Sequence, residues 1–248
     1  EALRAVAPSQ GMMLESLRAD LAAHRGCPDK EPERRLATLE AAGELAIPFT
    51  TGILVGFGED RADRIEALDA IAASHVRLGH VQEVIVQNFL PKPGTAMHQA
   101  EPCPPDTFLE AIALARLILP PEVHLQAPPN LSDDFGVLLD AGIDDWGGVS
   151  PVTADHVNPE RPWPDLDVLR DEVPVGKSVA VGICAAVCQV VACTAIEVVL
   201  TGAAVHDVSA GAAKQPIAVG AAGQSVASVA DIAHVVADLL RIDRGRVS

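Results

Sequence analysis

Between residues 48 and 57 (PFTTGILVGF) the chain is β-branched and almost continuously apolar, the pattern of a strand buried on both faces. Residues 60–76 then place apolar side chains at helical spacing, which predicts an amphipathic helix. The same unit recurs on either side. A short apolar run at 11–16 (GMMLES) precedes a helical pattern at 34–46. A third strand is predicted over 81–90 (VQEVIVQNFL), and a third helix over 105–119 opens with Pro and Asp. A fourth strand follows at 123–128 (VHLQAP). Ser132 is then expected to cap a helix over 133–141 that Gly142 stops, before a short fifth strand at 146–150.

Strands alternating with helices of this length imply parallel units joined by right-handed crossovers, hence an α/β fold, either an open sheet or an α/β barrel. In both, ligands meet the C-terminal ends of the strands. That rule singles out Glu15 and Ser16, Gly58 and Glu59, Gln87 and Asn88, Gln126 and Asn130, and Asp144 and Asp145.

Composition narrows the partners. With 248 residues, 49% of them hydrophobic, the chain can bury a sizeable core. Its net charge of -16 repels polyanions, so neither nucleic acid nor an anionic membrane is expected as a partner. Five scattered Cys without a signal peptide point to a reducing cytoplasm rather than a disulfide framework. Glu1 opens the chain inside a helix-like stretch, as a fragment of a longer protein would. Beyond Val173 the character changes: residues 173–248 hold five basic and five acidic side chains, no aromatic residue, and mostly Ala, Val and Gly. The chain therefore divides into residues 1–172, which carry the whole net charge, and a tail at 173–248.

Several motifs bear on chemistry. Gly52, Leu54, Gly56 and Glu59 stand in a G-x-I-x-G-x-x-E pattern, with Leu in the Ile place. Glycines there let backbone approach a flat ligand, and the carboxylate can accept hydrogen bonds; close helix packing with a capping acid explains the same pattern. No G-x-G-x-x-G opens the helix, so this is not a dinucleotide fingerprint. Gln87, Asn88 and Lys92 with the turn PKPGT, then Gln126 and Asn130 around two prolines, then Asp144, Asp145 and Trp146, place amides and charges on successive units. Several such sets on one rim favour a pocket for a polar ligand with many hydrogen bonds. His75, His80 and His98 read as solvated loop histidines, whereas His156 is a candidate ligand contact beside Asn158, Glu160 and Arg161. Cys184, Cys188 and Cys193 are spaced C-x3-C-x4-C, which departs from the C-x3-C-x2-C of an iron-sulfur triad because residue 191 is Val. The apolar stretch 179–200 contains Glu197 and lacks flanking aromatics, so a membrane span is not expected.

GMMLES at 11, PFTTGILVGFGE ending at Glu59, VQEVIVQNFLPKPGTAM from Val81, QAPPNLS from Gln126 and AGIDDWGGVSPVTADHVNPERPWP from Ala141 together resemble the FO synthase family of radical S-adenosylmethionine (SAM) enzymes. The resemblance covers roughly residues 11–172 and corresponds to the later strands of a partial TIM-type (β/α) barrel. It implies SAM and a 4Fe-4S cluster as cofactors. The implied reaction is hydrogen abstraction from a hydroxybenzyl/ribitylamino-uracil adduct and ring closure with loss of ammonia, giving the deazaflavin FO, precursor of coenzyme F-420. On this resemblance Glu15, Gly52, Gly56 and Glu59 contact SAM, while Gln87, Asn88, Lys92, Gln126, Asn130, Asp145 and His156 face the substrate. The implied partners are the small-molecule substrate, an electron donor, and the companion subunit or C-terminal half of a fused enzyme.

Two departures qualify that expectation. The family's C-x3-C-x2-C loop is absent from this sequence, and Cys27 and Cys103 are isolated. After Asp171 the resemblance stops, so the tail is either out-of-frame sequence or an appended module, with a regular helical pattern at 228–240. A sister radical SAM enzyme that makes the adduct, or a cluster-free half-barrel that only binds a nucleoside-like ligand, stays open beside the first reading. The chain by itself is expected to make no FO; deazaflavin fluorescence from the purified chain supplied with SAM, reductant and adduct would overturn this.

Overall fold

The computed structural model describes residues 9–150, 153–173, 179–183 and 196–199. Seven strands, β1 (Gln10–Gly11), β2 (Phe49–Val55), β3 (Val81–Asn88), β4 (His124–Gln126), β5 (Asp145–Val149), β6 (Val179–Ile183) and β7 (Ile196–Val199), form one parallel sheet in chain order. Helices α1 (Pro32–Glu44), α2 (Arg61–Leu78), α3 (Pro105–Ile118), α4 (Gly136–Ala141) and α5 (Leu166–Asp171) fill the connections between β1 and β6. Strand order that follows chain order, with helices in the connections, is the winding of a (β/α) barrel, and the sheet curls as part of one. The α/β architecture expected from the alternating pattern is therefore observed. Cys184, Cys188, Cys193 and the helical pattern at 228–240 lie outside the described residues.

The core lies between the sheet and its helices. Ile53 and Val55 of β2, Val84 and Val86 of β3, Leu125 of β4 and Trp146 of β5 are fully buried against Leu39 of α1, Leu68 and Ile71 of α2, and Ile112 of α3. Each such aliphatic side chain contributes about 1.5–3 kcal/mol by leaving water. Local signals fix where the helices begin and end. Asp60 accepts from the backbone N–H of Ala62 and Asp63 at 2.7 and 3.0 Å, and Asp63 returns a carboxylate to the Asp60 N–H at 2.8 Å. This reciprocal cap starts α2, and Gly79, in the left-handed region at φ 64°, stops it.

The structure differs from the sequence pattern at three element boundaries and in the burial of two histidines. The first strand pairs only over Gln10–Gly11, with Glu15 rejoining Ile53 through a single bridge. Ser132 does not cap α4, because Pro129–Leu131 first forms a 3-10 turn; the Asp134 carboxylate instead accepts from the Val137 N–H at 3.3 Å. His75 and His80 are buried rather than solvated. The first is carried into the interior by an α2 that runs on to Leu78, and the second sits under α1, its Nε2 2.9 Å from the Leu39 carbonyl.

One charged clamp ties α3 to two strands. Arg116 donates to the Gly142 carbonyl at 2.8 Å and to the Asp144 carboxylate at 2.9 Å. Asp144 also accepts from the Leu125 N–H at 2.6 Å and lies 3.2 Å from His124 Nδ1. Burial by itself would raise the Asp144 carboxyl; His124, Arg116 and the Leu125 N–H override it and hold the acid below its ordinary 3.8. A depressed folded-state value stabilises the fold above the unfolded value, and that stabilisation is lost as pH falls through the folded value. Asp144→Asn is expected to cost about 2 kcal/mol at neutral pH. In urea unfolding followed through acid pH, the variant should also lack part of the loss of stability that the parent shows below its ordinary carboxylate value.

Candidate functional site

Side chains of a strand alternate between its two faces. Because Ile53, Val55, Val84, Val86, Leu125 and Trp146 lie under the helices, the residues between them project to the other side. Leu39 of α1, Leu68 and Ile71 of α2 and Ile112 of α3 pack with the first set, on the core side. The other side presents Thr50, Gly52 and Leu54 of β2, Glu83, Ile85 and Gln87 of β3, Gln126 of β4 and Asp145 of β5.

At the β1 and β2 ends, the residues expected to touch a cofactor are engaged by the chain itself. Glu15 adopts φ 65°, unusual for a residue with a Cβ. Its carboxylate lies 2.7 Å from His24 Nε2 and 3.0 Å from Arg35 Nη1, and accepts from Lys30 Nζ. Burial alone would raise this acid, but Lys30 and Arg35 hold it below the usual carboxylate value. A Cβ on Gly52 would lie 2.0 Å from the Ile85 carbonyl oxygen and 2.8 Å from Met13 Cε. Gly56, at φ 87°, would place one 2.6 Å from the Cys103 Cβ. Glu59 accepts from the N–H groups of Gly56 and Phe57 at 2.8 and 2.9 Å and pairs with Arg64 at 2.9 Å. The G-x-L-x-G-x-x-E segment thus forms a rigid strand end whose close approaches are to Ile85 and Cys103.

The amides at the β3 and β4 ends divide by face. Gln87 is half-buried on the open side, whereas Asn88, its neighbour, points the other way and donates to the Leu131 carbonyl at 2.9 Å. Consecutive strand residues cannot share a face, so the pair expected to meet a ligand together is split. Asn130 donates to Asp155 at 2.8 Å and to the Arg161 carbonyl at 3.3 Å, and Lys92 donates to the Val157 carbonyl. Asn88, Lys92 and Asn130 therefore fasten neighbouring loops. His156 is exposed, while its neighbour Asn158 turns inward to Asp155 at 2.7 Å and Arg161 pairs with Asp133.

Asp145 begins β5 rather than ending it, yet lies level with Gln126 because β4 is only three residues long and Gln126 pairs with Asp145 in register. Its Oδ1 accepts from the Gly147 N–H at 2.7 Å. Burial, helped by the charges of Glu83 and Asp144, pushes this acid up to about 8 against the opposing pull of Gly147 and His124. Gly147, at φ 70°, has no room for a Cβ, which would lie 1.8 Å from Gln126 Nε2.

Glu83, Arg35 and Arg64 belong to none of the motifs that mark the strand ends in the sequence. Glu83 was legible in principle, since it shares the period-two register of Ile85 and Gln87. The two arginines were not, because their partners are distant in the chain. Among the described residues no three His, Cys, Asp or Glu side chains converge to hold a metal ion. Cys27 is exposed, and Cys103 is buried with its thiol pushed up to about 11 by burial and by Glu59, so the two do not form a cluster-binding set.

Glu59→Ala would leave buried Arg64 short of a partner and strip two N–H groups of their acceptor. The expected cost is about 3–5 kcal/mol, read as a lower urea midpoint, whereas Gln87→Ala on the open face should change stability by no more than about 0.5 kcal/mol. Equal stability of the two variants would mean that Glu59 does not hold the strand end.

No protein-family model matches the chain. It is 57% identical over 168 residues to a 7,8-didemethyl-8-hydroxy-5-deazariboflavin synthase of Methanoculleus marisnigri, a match covering 68% of this chain and 50% of that protein. A protein of the same name from Methanosphaerula palustris is 53% identical over 171 residues, covering 69% of this chain and 52% of its own length. The FO synthase of Nocardia farcinica is 53% identical over 176 residues, covering 68% of this chain and 20% of its own. The chain thus spans about half the length of the first two relatives and a fifth of the third. Identity at this level, sustained over about two thirds of its length, means that the chain belongs by homology to the FO synthase family.

Proposed function

We propose that this chain contributes substrate-facing strands to an enzyme that forms the deazaflavin FO, precursor of coenzyme F-420, from a hydroxybenzyl/ribitylamino-uracil adduct with release of ammonia. The observation that carries this reading is identity above 50% to FO-forming synthases of Methanoculleus marisnigri and Nocardia farcinica alike. The geometry agrees with it. Gln87, Gln126 and Asp145 line one open face where a flat polar ring can lie against the sheet, while Asn88, Lys92 and Asn130 keep the flanking loops in place.

In radical SAM enzymes, bound SAM and a reduced 4Fe-4S cluster supply hydrogen abstraction. Glu15, Gly52, Gly56 and Glu59 serve that chemistry by shape: they fix the strand ends against which SAM would rest. Cys27 and Cys103 do not supply the three thiolates a cluster requires. The implied partners are an electron donor and the companion subunit or half that makes the adduct. Among the described residues no helix is long and apolar enough to cross a membrane.

Deleting the gene in a strain without a second FO synthase should abolish deazaflavin fluorescence in cell extracts, and supplying FO should restore coenzyme F-420. Unchanged fluorescence in the deletant would overturn the proposal.

A further inference from the structure

The open face of β3–β5 holds three polar side chains whose hydrogen-bonding capacity is not used up among the described residues. Gln126 is 8% exposed, yet its amide makes no hydrogen bond among the described residues. It lies over the Asp145–Gly147 turn, where it fills the space a Gly147 Cβ would need. Asp145, also 8% exposed, spends one oxygen on the Gly147 N–H at 2.7 Å, and the other accepts no hydrogen bond among the described residues. Glu83 takes the Thr50 hydroxyl on Oε1 and leaves Oε2 free. No unbonded polar atom of Gln126, Asp145 or Glu83 is sealed from solvent, so water or a ligand on the open side can reach and complete each of them. The backbone supports the same view. β5 carries a register shift between Asp145 and Gly148, and irregularities of this kind turn side chains toward sites.

Resting on the FO-forming reading, we propose that Glu83, Gln126 and Asp145 form a subsite for the imide edge of a pyrimidinedione ring, with Glu83 as a substrate-positioning residue. The complementarity is specific. A carboxylate at Glu83 accepts from a ring N–H, and the Gln126 amide can both donate and accept. Burial and the neighbouring charges of Glu83 and Asp144 push the Asp145 carboxyl up to about 8 against the pull of His124 and the Gly147 N–H, and in its protonated form it can offer an O–H to a ring carbonyl. A ring whose nitrogens are methylated can satisfy the donors but not Glu83.

Saturation-transfer NMR with the full chain tests this with uracil and 1,3-dimethyluracil as probes. Uracil should bind at least about fivefold more tightly than the dimethyl ring, and Glu83→Gln should weaken uracil about tenfold, the size of a lost charged hydrogen bond. Asp145→Asn, which keeps a donor, should hold uracil within about twofold at neutral pH. It should also remove the loss of binding that the parent shows as pH rises past about 8. If Glu83→Gln does not fold, Gln126→Leu gives the same readout, since the Gln126 amide makes no hydrogen bond among the described residues. Equal binding of the two probes, or uracil binding untouched by both Glu83→Gln and Gln126→Leu, overturns the subsite. The two proposals fail separately. Loss of fluorescence in the gene deletant without selective uracil binding removes only the subsite, while selective binding with unchanged fluorescence removes only the FO-forming reading.

Discussion

Everything the open face can do follows from the packing of the other face. Once Ile53, Val55, Val84, Val86 and Leu125 are committed to the helices, strand alternation leaves no choice about where Gly52, Leu54, Glu83, Gln87 and Gln126 point. A slip of one residue would put Glu83 and Gln126 into the apolar core. Burying a charge there without a partner costs far more than any gain from misregistered pairing, so the register of the site is as firmly set as the core itself.

Charge placement reinforces that register. Arg116 and Asp144 lock α3 to β4 and β5 from below, and Arg64 with Glu59 locks α2 to the end of β2. Both pairs join residues on different elements, and both carboxylates also accept backbone N–H groups, which is what makes partly buried ion pairs hold geometry. Asp144 and Asp145 show how sharply position decides chemistry. The first turns to Arg116 and His124 and stays ionised; the second turns away from them onto the open face, where burial favours its neutral form.

Most of the sheet was legible in the sequence because its signals are local. The apolar run at 48–57 is β2, and the helical spacing at 60–76 is most of α2. The site was legible only as a set of strand ends. Gln126 closes β4 and Asp145 opens β5, and the two lie level on the open face, whereas Asn88 and Asn130 turn to the Leu131 carbonyl and to Asp155. Their partners, Leu131 and Asp155, are 43 and 25 residues away, beyond the reach of any pattern along the chain.

The sequence by itself determined the order of strands and helices, the apolar face that makes the core and, through long blocks such as VQEVIVQNFLPKPGTAM, membership of the FO synthase family. These are properties of neighbouring residues and of the linear text. Tertiary structure decided which polar groups remain free. Glu59 looks available in sequence and is fully engaged, whereas Glu83 looks like an ordinary strand residue and, among the described residues, keeps an unused oxygen on the same face as Gln126. Whether a hydrogen-bonding group is satisfied depends on what the fold brings to within about 3 Å of it, and no local pattern carries that information.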